Sequence, residues 1–399
     1  MMNCYLRLVL LVVCSLSACK TLQIPDAQIG IQVRSLQSGK VLYEKNQDQK
    51  FIPASTLKLF TLATALQKLG PSYQFETQVF YNGNLYLKGS GDPSFSVSDL
   101  DNLATQIKQL VKKPIQNIII DDSVFDRNYY GNGWLEEDLS KGYSAPIAGI
   151  NVNYNRLLVT FLPNKQVLLE PLTQFVKLKI NQSGKFKITG HGLDISGKLE
   201  NLRKSQYKTY AIQDPNKWAG FLFKEALKRI GIQIKGHIQT GLVPKDLKPI
   251  ASDFSPYLSE MLINYTKFSN NLGNEALLKT LGSGTFEKGL EIVRDSVGLE
   301  SIEDGSGLSL KNLITPAQMT DFLIKTASNF QIAPEFMSAL PIGSNLRAKT
   351  GTMTGIRGLA GYFKRSNDEI VAFAVFANEL KDPPEKLRAW VELILSQHL

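Results

Sequence analysis

The chain has 399 residues, 43% of them hydrophobic and 20% charged, which is enough for two or more domains and is the balance of a folded, water-soluble body. Its net charge is +9, but Lys and Arg are scattered, so a solvated surface is the default; anionic wall polymers or membrane surfaces suit such a balance, and nucleic acid is not expected of an exported chain. Cys4, Cys14 and Cys19 are the only cysteines, so the rest of the sequence holds no internal disulfide and no cysteine metal site.

Arg7, the apolar run Leu8–Leu16 and Ser17-Ala18-Cys19 read as a signal peptide over 1–19, too short to span a bilayer permanently. Leu16-Ser17-Ala18-Cys19 is similar to a bacterial lipobox, with Cys19 as the lipidated residue; an ordinary signal containing cysteine is the alternative. The expectation is export to the periplasm and a lipid anchor in a membrane. Lys20, rather than aspartate, favours the outer membrane if the cell is Gram-negative.

Residues 25–72 begin an α/β body. Ile29–Leu36 and Val41–Glu44 read as strands around Ser38-Gly39. Pro53-Ala54-Ser55 then opens a helix whose apolar run reaches Leu69 and closes at Gly70-Pro71. Ser55 sits in its first turn, where free N–H groups favour negative charge developing on Oγ. An N-cap role accounts for Ser55 but not for Lys58, a cation where the helix dipole disfavours one. Three residues apart, the two share one helix face. A serine hydroxyl needs a base, and an amine with a depressed pKa is one. Two further Ser-x-x-Lys copies carry less: Ser17/Lys20 lies in the targeting segment and Ser205/Lys208 in a polar stretch.

Residues 73–213 read as a β-rich inserted module. Strand-like pieces are Gln78–Tyr81, Leu85–Lys88, Ile115–Ile120, Leu157–Leu162, Val176–Ile180 and Tyr207–Ile212, with one helical pattern at Leu100–Val111. The helix from Pro215 to Ile230 is assigned to the main body, which then runs over 214–399. Ser269-Asn270-Asn271 stands at the start of a helix ending at Gly282, where a hydroxyl and an amide can bridge the base, the leaving group and a substrate amide. Lys349-Thr350-Gly351-Thr352 is expected to precede a strand. Gly351 permits close approach of a ligand. Lys349, Thr350 and Thr352 would meet the terminal carboxylate of an extended peptide, and the backbone N–H groups of Ser55 and Thr352 are oxyanion-hole candidates. Lys349 also adds the positive potential that depresses Lys58. Asp304-Gly305-Ser306-Gly307 reads as a turn. Strands at Gly358–Phe363 and Ile370–Ala377 and a helix from Pro384 to Leu395 complete the chain. None of His191, His237 and His398 stands beside a serine or carboxylate motif, so a Ser-His-Asp triad or zinc site is not expected, and neither metal nor cofactor is needed.

The ordered trio Ser55-Thr56-Leu57-Lys58, Ser269-Asn270-Asn271 and Lys349-Thr350-Gly351 resembles the signature of penicillin-binding proteins and class A β-lactamases. With Gly89-Ser90-Gly91-Asp92-Pro93, Asp304 to Ser309, Thr315-Pro316, Leu359-Ala360-Gly361-Tyr362 and the long insert, the chain resembles the low-molecular-mass class C penicillin-binding proteins. These form the D-alanyl-D-alanine carboxypeptidase/endopeptidase family. The resemblance implies a serine β-lactamase/penicillin-binding transpeptidase-like α+β fold, with Ser55 as nucleophile, Lys58 as base, Ser269 and Asn271 as relay and binder, and Lys349 as electrostatic contact. It also implies peptidoglycan stem peptides as substrates, β-lactams that acylate Ser55, and Asp121 and Phe125 at positions that meet the substrate's diamino-acid side chain. Asn270 replaces the family's usual aspartate and Leu310 its usual arginine. D,D-endopeptidase action is the rival within the same chemistry; an inactive peptidoglycan-binding lipoprotein is the rival outside it.

Overall fold

The computed structural model describes residues 25–396 apart from 112–113, 164, 200–202 and 344; Cys19 and the rest of the stretch 1–19, read from sequence as a signal peptide, lie outside the described residues. Ile370–Asn378 is apolar at nearly every position, as a strand buried on both faces must be. It is the middle strand of an antiparallel sheet ordered Leu346–Met353, Ile356–Lys364, Ile370–Asn378, Gln28–Ser35, Val41–Lys45. Alternation sends Val371, Phe373 and Val375 to one side, where Ile29, Ile31 and Val33 join them under Trp390 and Val391 of the helix Pro384–Ser396. Ala372, Ala374 and Phe376 go to the other, helical side. There the helix Lys58–Leu69 is buried from Lys58 through Leu66, surrounded by neighbours that include Asn271–Leu281 and Phe286–Val297.

Ser55 lies on a 3-10 turn, Ala54–Leu57, that runs directly into that helix. Three glycines give the turn its room. An ideal Cβ on Gly351 or Gly358 would stand 2.6 or 2.7 Å from the Pro53 carbonyl, and one on Gly307 would stand 2.0 Å from the Ala54 carbonyl. Backbone meets backbone at all three points, so no side chain can be accommodated by rotating away.

A second core begins at Glu76. Its mixed sheet is ordered Ile238–Thr240, Ile118–Asp121, Leu85–Lys88, Glu76–Tyr81, Pro249–Phe254, and the helices Val97–Ile107 and Pro215–Arg229 pack on it. Two three-stranded sheets extend the insert. One holds Arg156–Phe161, Val167–Glu170 and Gln206–Ala211, the other Lys177–Ile180, Lys185–Gly190 and Leu193–Lys198; the Phe161 and Phe186 rings meet between them at 5.2 Å. The helix Pro215–Arg229 is therefore not part of the main body, contrary to the sequence reading. Trp218, Leu222, Phe223 and Leu227 pack with Leu100, Leu103 and Ile120, and the Trp218 indole donates to the Val152 carbonyl at 2.9 Å. The insert continues to Phe254 rather than stopping at 213, because its sheet takes both edge strands from beyond that helix. Lys279 ties insert to body: wholly buried, its Nζ donates to Asp126 Oδ1 at 2.5 Å and to the Asn128 carbonyl at 2.8 Å.

Candidate active site

Lys58 is completely buried, and its Nζ stands 2.9 Å from Ser55 Oγ, 2.7 Å from Asn271 Oδ1 and within hydrogen-bond reach of the Ser306 carbonyl. The amide of Asn271 has one orientation, since its Nδ2 donates to the Tyr143 carbonyl at 2.9 Å. Asn271 Oδ1 and the Ser306 carbonyl can only accept. A neutral amine has two hydrogens, and these two acceptors take both; the lone pair is left facing the Ser55 hydroxyl. Burial is the main cause that holds the Lys58 pKa well below the ordinary lysine range, the Lys349 ammonium is the second, and Asp304 and Glu275 pull the other way.

Lys349 is also buried, which brings its pKa down to about 8. Its Nζ donates to Ser269 Oγ at 3.0 Å and to the Thr350 carbonyl at 2.7 Å. Ser269 Oγ accepts a hydrogen bond from Lys349, so its own hydrogen is left for a third group. Ser269 has φ 51° and hands the chain to Asn270, whose side chain caps the next helix by accepting from Gly273 N at 3.0 Å. Asparagine caps a helix as well as aspartate does, so this departure from the family pattern leaves the local fold intact.

Lys349-Thr350-Gly351-Thr352 lies within the strand Leu346–Met353 rather than before one, as the sequence reading had it. A short bridge from Ile342 to Arg347 covers the start of its outer side; from Lys349 onward the strand pairs, among the described residues, with Ile356–Lys364 alone and is the edge of its sheet. Lys349 and Gly351 are buried, while Thr350 and Thr352 are exposed. An ideal Cβ on Gly351 would lie 3.1 Å from Ser55 N, so this edge runs hard against the Ser55 turn and brings Thr352 beside it. A free edge of this kind accepts an extended peptide as an added strand.

The Asp304-Gly305-Ser306-Gly307 turn does more than reverse the chain. The Asp304 carboxylate accepts from the N–H groups of Gly307, Leu308 and Ser309 at 2.7, 2.9 and 2.8 Å, from Asn312 Nδ2 at 2.9 Å and from Trp134 Nε1 at 3.1 Å. Gly305 N donates to Glu275 Oε1 at 3.0 Å, and Thr61, on the Ser55 helix, donates to the Gly305 carbonyl at 3.2 Å. This framework aims the Ser306 carbonyl at Lys58. Sequence reasoning missed it, because a backbone acceptor has no residue-type signature; the glycine-rich string was its only trace. Asp304→Ala leaves five donors without their acceptor and is expected to cost about 3 kcal/mol or more in urea unfolding and to slow acylation as well.

The five residues Ser55, Lys58, Ser269, Asn271 and Lys349 are thus brought together. Asp121 and Phe125 are not. Asp121 is buried in the insert's sheet, and its carboxylate is occupied by the N–H groups of Ser123 at 3.1 Å and Val243 at 2.8 Å. Phe125 is buried over Gly91 and against the Lys279 ammonium, 5.2 Å from its ring centre. Asp121 is explained by hydrogen bonds within the insert, and Phe125 by packing between the insert and the body.

The model of the D-Ala-D-Ala carboxypeptidase 3 (S13) family matches residues 17–396. The chain belongs to this family, that of the low-molecular-mass class C penicillin-binding proteins. It is 28% identical to the D-alanyl-D-alanine carboxypeptidase of Actinomadura sp. (strain R39), over 89% of this chain and 78% of the relative. It is 24% identical to the D-alanyl-D-alanine carboxypeptidase DacB of Haemophilus influenzae, over 90% and 87%. The crystal structure of penicillin binding protein 4 (dacB) from Haemophilus influenzae superposes with a TM-score of 0.78 at 23% identity, covering 94% of this chain and 98% of that one. A predatory peptidoglycan endopeptidase from Bdellovibrio bacteriovorus, Bd3459, gives 0.55 at 14% identity, over 94% and 93%. The serine hydrolase fold expected from the motifs is the fold observed.

Proposed function

We propose that Ser55 is the nucleophile with which this S13 D-alanyl-D-alanine carboxypeptidase cleaves the last peptide bond of peptidoglycan stem peptides. The observation that carries the reading is the buried Lys58 amine 2.9 Å from Ser55 Oγ, with its hydrogens engaged elsewhere. Ser55 Oγ attacks the carbonyl carbon of the penultimate D-alanine, and Lys58 takes the hydroxyl proton. The carbonyl oxygen gains the electron pair and lies between the N–H groups of Ser55 and Thr352. The proton passes by way of Lys58 and Ser269 to the leaving amine, the C–N bond breaks, and an ester on Ser55 remains. Water then attacks the ester, again with Lys58 as base, and restores Ser55. Lys349 and Thr350 hold the terminal carboxylate. A β-lactam enters by the same first step and stays as the ester.

The test is mass spectrometry of purified muropeptides before and after treatment. Loss of terminal D-alanine from pentapeptides with dimers intact is the expected result; unchanged pentapeptides overturn it. Conversion of dimers to monomers would mark endopeptidase action by the same residues. The rival of an inactive wall-binding lipoprotein is disfavoured by an intact nucleophile, base and second lysine in one hydrogen-bonded group. Export and a lipid anchor at Cys19 belong to this reading on the strength of Leu16-Ser17-Ala18-Cys19. Cys19→Ala is expected to move the protein from the membrane to the soluble fraction, read by fractionation.

A further inference from the structure

Lysines that look scattered in the sequence are gathered by strand register. The outer three-stranded sheet sets Lys177 opposite Thr189, Lys179 opposite Lys187, Lys187 opposite Ser196 and Lys185 opposite Lys198. Residues directly opposite in an antiparallel ladder, and residues two apart on one strand, point to the same side. Lys177, Lys179, Lys185, Lys187 and Lys198 therefore share one face, and all five are exposed. Leu178, Phe186, Ile188 and Ile195 share the other face and pack into the second core. The acid in these strands is Asp194, which pairs with Lys187 at 3.2 Å. Two pairs, Lys179 with Lys187 and Lys185 with Lys198, are like charges directly opposed, which costs stability. Lysines on the outer strands would guard sheet edges, but Lys185 and Lys187 stand on the middle strand, where there is no edge to guard. Residues 163–208 hold nine Lys/Arg against three Asp/Glu, so this segment supplies +6 of the chain's net +9.

We propose that this lysine face docks the carboxylate-bearing peptidoglycan polymer and holds it while its stem peptides reach Ser55; the proposal rests on the function proposed above. Stem peptides carry free carboxylates, and a polymer presents many at once, so weak exposed charge contacts add up. A short soluble peptide has too few to use the face. A bilayer suits it less. Membrane-surface elements pair basic charge with aromatic or aliphatic groups, and this face has none. The exposed Tyr207 and Leu168 stand in one row of the other three-stranded sheet, with Thr160 between them.

The experiment compares the full chain with a variant carrying Lys179→Gln, Lys185→Gln, Lys187→Gln and Lys198→Gln. Release of D-alanine from intact sacculi at low salt is expected to fall about tenfold, the product of four weak contacts, and the gap to close at high salt. Release from a soluble peptide ending in D-Ala-D-Ala and labelling by fluorescent penicillin should stay within twofold. Equal turnover of sacculi by the two proteins overturns the proposal. So does a variant that loses binding to phosphatidylglycerol vesicles while turning over sacculi normally, which assigns the face to a bilayer. If the unaltered chain releases no D-alanine from the soluble peptide, the proposed function fails instead, and co-sedimentation with sacculi still reads the face. Should the fourfold variant not fold, Lys179→Gln with Lys198→Gln, one change on each outer strand, is expected to give a smaller loss on sacculi alone; no loss overturns the docking.

Discussion

Ser55→Ala is expected to take up no fluorescent penicillin, and Lys58→Gln to keep its nucleophile yet acylate about 10²–10⁴ times more slowly. The second variant is the more informative. A glutamine amide in place of the buried amine keeps a neutral donor on the side of Asn271 Oδ1 and the Ser306 carbonyl, the two acceptors that hold Lys58, though one bond further back. It brings no basic lone pair toward Ser55. The polar volume at the position is kept while proton abstraction is lost, so the fall in rate reports chiefly the base. Stopped-flow acylation by penicillin provides the number, and melting temperature checks that the core around the helix Lys58–Leu69 is intact. A Lys58→Gln rate within tenfold of the parent would remove Lys58 from the role of base.

The pH dependence of acylation carries the next largest effect, because the site asks opposite things of two lysines. Lys58 must be the free amine, so activity rises as pH climbs through its depressed pKa. Lys349 must keep its proton to hold the substrate carboxylate, so activity falls as pH passes about 8, where burial has brought it. The expected profile is a bell with its descending limb near pH 8, and the loss there should appear in KM more than in kcat. Lys349→Gln is expected to remove that limb. It also removes the second-largest cause of the low Lys58 pKa, so the ascending limb should shift to higher pH. An ascending limb that stays fixed or moves down in Lys349→Gln would mean that the two amines are not electrostatically coupled.

Much of the site was legible because the chemistry needs particular side chains in a fixed order: Ser55 and Lys58 one turn apart, Ser269 and Asn271 at a helix mouth, Lys349 beside a glycine. The central sheet was legible too, since Ile370–Asn378 is apolar enough to belong only in a buried strand. What escaped has physical reasons. The helix Pro215–Arg229 shows an apolar stripe, but a stripe does not say which core receives it. Lys185–Gly190 and Leu193–Lys198 alternate lysine or polar residues with a few apolar ones around a glycine turn, and so offer no apolar run from which a strand is read. Asp121 came in by resemblance alone, and its sequence neighbours are silent about Val243, 122 residues away, whose N–H occupies it. Ser306 acts through its carbonyl, which every residue has.

The helix Asn271–Leu281 has two distant jobs. At its first residue Asn271 holds the base; at Lys279 it grips the loop of the insert through Asp126 and Asn128. The two positions are eight residues apart, about 12 Å along a straight rod. The contact with the insert and the amide that orients Lys58 therefore sit on one helix.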